Sequence, residues 1–303
     1  MAIVSKKRKL KVPMALGSDV MEAQALPITS GPIPVCHWIT VTPELATKWL
    51  DEININNRTI RQDYVDRMAS DMAEGRWMGR NGEALRFDTK GRLVDGQHRC
   101  WACVVAKTPF ETLAVYDVAP EAYSTIGIGA KKSLADFLGP MSGEKNVHNL
   151  AATLRIIFMW RTGNLGNLKD SRRLPTISQL EELLRDEPGI RDTVQRICSC
   201  SQLKKLFNLT FACLIHYAGT MSGHPATVEA FLERLGSGIG LTDTDPAYHL
   251  RKFLLAQRSP VPGHRRVGQQ YILALAIKAW NATKNNEPMQ RLVLKVNEDF
   301  PTL

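Results

Sequence analysis

The sequence has no long hydrophobic run. Its longest nearly apolar stretch, Tyr271 to Ile277, is far shorter than the roughly 20 residues that a membrane-spanning helix needs. The basic cluster at residues 6–11 is followed by a segment interrupted by proline, glycine and acidic residues, which is unlike the apolar core of a secretory signal. We therefore expect no membrane partner and a cytoplasmic location.

Cysteine is also scarce, with six residues scattered over a chain of 303. In a chain without a secretory signal, this usage favours reduced thiols over a disulfide framework. Cys100 and Cys103 have the C-x-x-C spacing of a redox or zinc site, but no second cysteine or histidine pair lies near them in the sequence. We interpret both thiols as small buried hydrophobic side chains.

Positive charge is in excess, since the sequence has 39 Lys and Arg but only 30 Asp and Glu, which gives a formal net charge of +9. Such an excess favours encounter with polyanions such as nucleic acids and nucleotides. Two basic groups could contact DNA or could simply be solvated. They comprise Lys6, Lys7, Arg8, Lys9 and Lys11 in the first group, and Lys252, Arg258, His264, Arg265 and Arg266 in the second.

The pattern of elements divides the chain into three segments. Residues 1–35 are rich in proline and glycine and predict an extended tail without regular structure. Strand-like and helical runs are mixed over residues 36–140, whereas residues 141–303 show almost only helical periodicity, including one continuous helix from Leu203 to Tyr217. The predicted fold is therefore α+β, with a small mixed α/β domain followed by a mostly α-helical domain.

A strand-to-helix turn within the mixed domain carries the most informative motif. Ala84 to Phe87 and Arg92 to Val94 read as a hairpin, Asp95-Gly96 follows directly, and His98 to Ala106 reads as a helix. Free N–H groups and the positive end of the helix dipole attract anions at such a turn, and Gly96 lets the backbone approach closely. The motif predicts a phosphate site, although a capped tight turn alone would share the pattern.

The side chains around this turn suit phosphate chemistry. Arg99 can make two parallel hydrogen bonds to phosphate oxygens, and His98 can donate to a phosphate or move a proton near neutral pH. Asp95 can hold a metal ion or accept a hydroxyl proton. Lys131 lies in a glycine-containing connection that could fold back on the motif and meet a phosphate.

The region from Asn57-Arg58 to Ala102, with Gly91-Arg-Leu-Val-Asp-Gly-Gln-His-Arg99 at its centre, resembles the N-terminal domain of the ParB/sulfiredoxin superfamily. That superfamily includes partition CTPases, free serine kinases and sulfiredoxins. The resemblance implies that Gly96, His98 and Arg99 bind nucleotide phosphates and that Arg58 adds a second cation.

Other positions of the motif depart from particular branches of the superfamily. Gln97 stands where sulfiredoxins place their reactive cysteine, and partition proteins usually carry a different turn. Asp95 resembles the acidic residue that opens the turn of the serine kinases. Glu83 and Glu52 are the candidates for the catalytic glutamate of those kinases.

These observations predict a ParB-like protein that binds an NTP, either ATP or CTP, together with Mg²⁺ and acts on or near DNA. NTP hydrolysis or phosphoryl transfer would use Asp95 and His98, with Asp95 as the metal ligand. The alternatives are a DNA-binding regulator or partition-type protein without catalysis, or a metal-dependent nuclease, and a homodimer is left open. The expected nucleotide ligands are Arg58, Gly96, Gln97, His98, Arg99 and Lys131.

Overall fold

The computed structural model describes residues 33–55, 57, 59–127, 133–142, 144–168, 170–258, 267–295 and 297–303. Over this part of the chain, 12 α-helices accompany one sheet of four strands. The predicted α+β fold with a helical C-terminal part is therefore confirmed. The predicted extended tail falls almost entirely outside the described residues.

The sheet and three helices form the N-terminal part of the molecule. Their bounds are β1 Val35–Val41, α1 Pro43–Glu52, α2 Gln62–Ala73, β2 Ala84–Asp88, β3 Leu93–Asp95, α3 Gln97–Ala106 and β4 Phe110–Val118. The spatial order of the strands is β1-β4-β2-β3. β2 and β3 form the predicted antiparallel hairpin, β2 and β4 are parallel, and β1 is antiparallel to β4.

Local sequence explains where these elements begin. The Thr42 side chain accepts a hydrogen bond from the Leu45 N–H at 3.3 Å, and Pro43 occupies the first turn of α1. The Asp88 carboxylate accepts hydrogen bonds from the backbone N–H groups of Lys90 and Arg92, both at 2.9 Å, and so closes the hairpin turn. These turns bring β3 and the start of α3 to one edge of the sheet.

The remaining helices build a separate hydrophobic core around α9 and α12, with Trp280, Phe231 and Leu214 among its fully buried side chains. They are α4 Leu134–Ser142, α5 Val147–Arg161, α6 Ile177–Asp186, α7 Ile190–Ser199, α8 Ser201–Leu206, α9 Leu209–Met221, α10 Pro225–Ser237, α11 Pro246–Arg258 and α12 Gln269–Lys284. No helix of the described residues is long and apolar enough to cross a membrane.

The prediction of one helix from Leu203 to Tyr217 is wrong. The chain leaves helical conformation at Phe207 and re-enters it at Leu209, so α8 and α9 are separate. The Asn208 side chain accepts a hydrogen bond from the Thr210 N–H at 2.9 Å. Asparagine is a favoured N-cap, and the apolar periodicity on both sides of it concealed the break.

A buried polar contact joins the sheet-containing part to the helical part. The hydroxyl of Thr176, which caps α6, donates to the Asp71 carboxylate of α2 at 2.9 Å. Arg76 Nε donates to the same Asp71 oxygen at 2.9 Å. Because Asp71 is buried, these two bonds satisfy a charge that would otherwise be costly to desolvate.

Candidate functional site

A cavity of about 700 Å³ opens at the turn between β3 and α3. Its wall includes all five residues of the motif, Asp95 to Arg99. Side chains from α2, from β2 and from the loop before α2 complete the wall, as do residues 126–127 after a short 3-10 helix. The structure thus places the predicted motif in a cleft of the size that binds small ligands.

Gly96 shapes the turn in the way its sequence position predicts. Its φ of +108° lies in the left-handed region, and a Cβ at this position would overlap the Leu85 side chain. Its carbonyl accepts hydrogen bonds from the N–H groups of Arg99 at 2.9 Å and Cys100 at 3.1 Å, which starts α3. The N-terminal end of α3, where the helix dipole is positive, therefore lies in the cavity wall.

Arg99 is a buried cation in the same wall, with 8% of its surface exposed. Its Nη2 donates to the Ala84 carbonyl at 2.6 Å and lies 3.6 Å from Asp95 Oδ2, but its Nη1 has no hydrogen-bond partner. Burial lowers the pKa of the guanidinium, against the raising effect of the Asp95 and Glu83 carboxylates. The positive charge of Arg99 is thus only partly compensated, and its Nη1 donor is not used.

Asp95 is engaged by two guanidinium groups. Its Oδ2 forms a short ion pair with Arg86 Nη1 as well as the longer contact with Arg99. Two arginines therefore already compensate the negative charge of the Asp95 carboxylate, which the sequence suggested as metal ligand or general base.

Sequence reasoning did not identify Arg86 as a site residue. Arg86 pairs with Asp95 across the β2–β3 hairpin, beside a register shift between Arg86 and Phe87. The side chain contributes to the cavity wall. An isolated arginine in a strand gives no signal of its own, and only the pairing register with Asp95 could have revealed it.

His98 uses Nε2 as a hydrogen-bond acceptor. The backbone N–H of Arg61 donates to this atom at 3.1 Å. The imidazole also meets the Tyr64 ring edge-on, with centroids 6.4 Å apart, and the Arg61 guanidinium lies 4.2 Å from the centre of the Tyr64 ring. An imidazole that accepts at Nε2 carries its proton on Nδ1, so Nδ1 is the ring nitrogen that could donate to a phosphate.

Gln97 is buried and helps to hold the loop before α2. Its Oε1 accepts a hydrogen bond from Asn54 Nδ2 at 3.4 Å. Asn57 Nδ2 in turn donates to Asn54 Oδ1 and to the Leu93 carbonyl, both at 2.6 Å. Two other predicted ligands, Arg58 and Lys131, lie outside the described residues.

The carboxylates of the site are few. Glu83 contributes an exposed side chain to the cavity wall, whereas Glu52 ends α1 and is not in that wall. In the part of the chain that the structure describes, no group of three or more His, Cys, Asp or Glu could hold a metal ion. Asp95 and Glu83 suit an ion that takes most of its ligands from phosphates and water, as Mg²⁺ commonly does.

Cys100 and Cys103 of α3 are not in the cavity wall. Both are fully buried, and burial raises the pKa of Cys100 to about 12 and that of Cys103 to about 11. Cys103 Sγ donates to the Thr108 carbonyl at 3.2 Å. Their interpretation as buried hydrophobic side chains is confirmed, because a reactive or metal-binding cysteine needs an accessible thiolate.

Comparison with known proteins gives no relative for this chain. No protein-family model, no curated protein and no solved structure matches it. The likeness to the ParB/sulfiredoxin superfamily therefore stays a prediction, which rests on the Asp95 to Arg99 motif and on the order of elements around it.

Proposed function

We propose that this protein binds a nucleoside triphosphate, with the phosphates at the N-terminal end of α3. The observation that carries the proposal is Arg99 Nη1, a buried cationic donor without a partner in the cavity wall. Leaving such a donor unsatisfied costs free energy in the unliganded protein, and an anionic oxygen would recover that free energy once the Arg99 side chain turned toward the cavity. ParB-like phosphate binding at Gly96, His98 and Arg99 is consistent with this arrangement.

The charges around the cavity also favour an anion. Three guanidinium groups, from Arg61, Arg86 and Arg99, share the wall with two carboxylates, from Asp95 and Glu83. Arginine matches phosphate geometry with parallel hydrogen bonds. A phosphate that replaces Asp95 as the partner of Arg86 would keep that guanidinium paired, and the released Asp95 carboxylate could then bind a cation that accompanies the phosphate.

Mg²⁺ fits this proposal as an ion that accompanies the nucleotide. Asp95 and Glu83 are the residues in the wall that would hold it, and it would screen the phosphate charge and polarise a phosphoryl group. Binding is better supported than catalysis, because the Asp95 carboxylate is neutralised by two arginines and His98 Nε2 already accepts a hydrogen bond. Hydrolysis or transfer to an acceptor would require Asp95 to separate from Arg86.

The DNA-binding alternative depends on two basic groups, of which Lys252 and Arg258 on α11 lie within the described residues. A two-metal nuclease would need more ligands than Asp95 and Glu83, and no group of three or more His, Cys, Asp or Glu in the described part of the chain could hold a metal ion. Nucleotide binding is therefore the function that the site supports best.

Titration calorimetry with ATP, CTP, GTP and UTP in Mg²⁺ tests the proposal. Arg86→Gln should weaken binding by about tenfold or more, since it removes a charge-assisted bond and leaves the Asp95 charge to repel phosphate. Arg80→Gln is the matched control, because Arg80 is exposed, pairs with Glu111 and is not in the cavity wall. Absence of binding by all four nucleotides, or equal affinity in Arg86→Gln, would contradict the proposal.

A further inference from the structure

A second cavity, of about 650 Å³, lies between α2 and the helical part of the molecule. Its wall comes from α2 on one side and from α4, α5 and the N-terminal end of α6 on the other. Tyr64 and Met68 of α2 belong to the walls of both this cavity and the phosphate cavity. The two spaces therefore adjoin across one turn of α2.

The two cavities differ in chemistry. The start of α3 and the Arg86, Arg99 and Asp95 side chains are in the wall of the first cavity alone. The second is mainly apolar, with Met68, Leu134, Leu174 and Leu180 in its wall. A ligand that is charged at one end and largely apolar and planar at the other would satisfy both surfaces at once.

Polar groups of the second cavity include two that are not used within the protein. The side chains of Arg155 and Ser178 make no hydrogen bond or ion pair with any of the described residues, and both residues contribute to the wall. A guanidinium stacks on flat aromatic rings and donates to ring acceptors, and a hydroxyl can donate or accept. These are the contacts that recognise the face and the edge of a nucleobase.

We infer that the second cavity holds the nucleoside portion of the bound nucleotide, while its phosphates lie at α3 in the first. This inference rests on the proposed function and adds to it the place of the base. The nucleotide passes over Tyr64 and Met68 and contacts α2 and α3 on one side and α5 and α6 on the other. Bound nucleotide would then tie the sheet-containing part to the helical part.

The test compares a nucleotide with inorganic triphosphate, which lacks a nucleoside. Calorimetric titrations with CTP, ATP and triphosphate, each with Mg²⁺, are made on the unaltered protein and on Ala152→Phe, which places a ring in the second cavity. We expect the best nucleotide to bind the unaltered protein at least about tenfold more tightly than triphosphate, because base contacts add affinity. Ala152→Phe should reduce nucleotide affinity to the level of triphosphate and leave triphosphate binding unchanged.

Two further variants complete the design. Ala230→Phe makes the same change at an exposed position of α10, which contributes no residue to this wall, and it should leave both affinities unchanged. Arg155→Ala removes an exposed side chain, so it avoids the risk of misfolding that Ala152→Phe carries, and it should weaken nucleotide binding alone.

The outcomes separate the inference from the proposed function. Tight nucleotide binding that neither Ala152→Phe nor Arg155→Ala weakens would overturn the inference and leave the phosphate site standing. If the unaltered protein bound triphosphate and nucleotides with equal affinity, the inference would also be overturned, and the phosphate site would again stand. Failure of the unaltered protein to bind triphosphate or any nucleotide would overturn both.

Discussion

The backbone N–H of Arg61 donates to the imidazole Nε2 of His98 at 3.1 Å, and this bond connects the start of α2 to the first turn of α3. An imidazolium carries a proton on both nitrogens and could not accept this bond. His98 is therefore a neutral ring that holds the N-terminal end of α2 beside the motif.

We expect neutral His98 to be the Nδ1–H tautomer. The Arg61 N–H occupies Nε2, so the single proton of the neutral ring must reside on the other nitrogen. Nitrogen-15 NMR of the histidine side chains measures this directly, with His98→Asn to assign the signal. An Nε2–H signature for His98 would show that the Arg61 bond does not form in solution.

Gly96→Ala should destabilise the fold more than the same change at Gly91. Both glycines have positive φ, which costs an alanine about 1–2 kcal/mol. At Gly96 the new methyl group also collides with Leu85, and overpacking adds about 1–3 kcal/mol, whereas no atom lies within 4 Å of a Cβ at Gly91. Urea unfolding followed by circular dichroism measures the difference, and equal losses would contradict the close approach of Leu85.

Sequence reasoning recovered this turn because its signals are local. A hairpin turn, a glycine after a strand and a following helical run are encoded within about twenty residues, and the structure places α3 within one residue of its expected start. Arg86 escaped detection because its role depends on which residue of β3 lies opposite it. The second cavity was out of reach for the same reason, since its wall combines residues 64–71 with residues 133–180.

Thr176→Val should lower the free energy of unfolding by about 1–3 kcal/mol. The substitution removes a buried hydrogen bond to Asp71, which joins the two parts of the molecule, and it removes the N-cap of α6. A double-mutant cycle with Asp71→Ala, which removes the acceptor, separates the two effects. We expect a coupling energy above about 0.5 kcal/mol for residues in direct contact. Strictly additive losses of unfolding free energy would mean that the Thr176 hydroxyl acts only as a helix cap.

The Asp88 carboxylate should contribute to the loss of stability in acid. Burial alone raises its pKa, but hydrogen bonds from the Arg92 side chain and from the Arg92 and Lys90 N–H groups outweigh burial and hold the pKa below the ordinary value. A lowered folded-state pKa stabilises the fold above the unfolded-state value of about 3.9, and this stabilisation disappears as pH falls through the folded-state pKa.

Asp88→Asn should therefore flatten the decline of unfolding free energy between about pH 5 and pH 2. Urea unfolding at a series of pH values measures that decline for both proteins. Parallel curves for the variant and the unaltered protein would show that the Asp88 carboxylate is not stabilised by folding.

The thiols should differ sharply in reactivity. Burial raises the pKa of Cys100 and Cys213 to about 12 and that of Cys103 to about 11, whereas Cys36 is exposed on β1. The thiolate is the form that reacts with iodoacetamide, so at pH 8 we expect Cys36 to be modified first and the three buried thiols to be protected until unfolding. Mass spectrometry of digested samples reads each site, and early modification of Cys100 would contradict its burial.

The strand order has a consequence for synthesis of the protein on the ribosome. β1 is made before any other strand, yet its partner in the sheet is β4, which begins at Phe110. Until β4 has left the exit tunnel, the apolar residues of β1 have no strand to pair with, and the hairpin of β2 and β3 also lacks its parallel neighbour. The arrival of β4 thus completes both halves of the sheet in a single step.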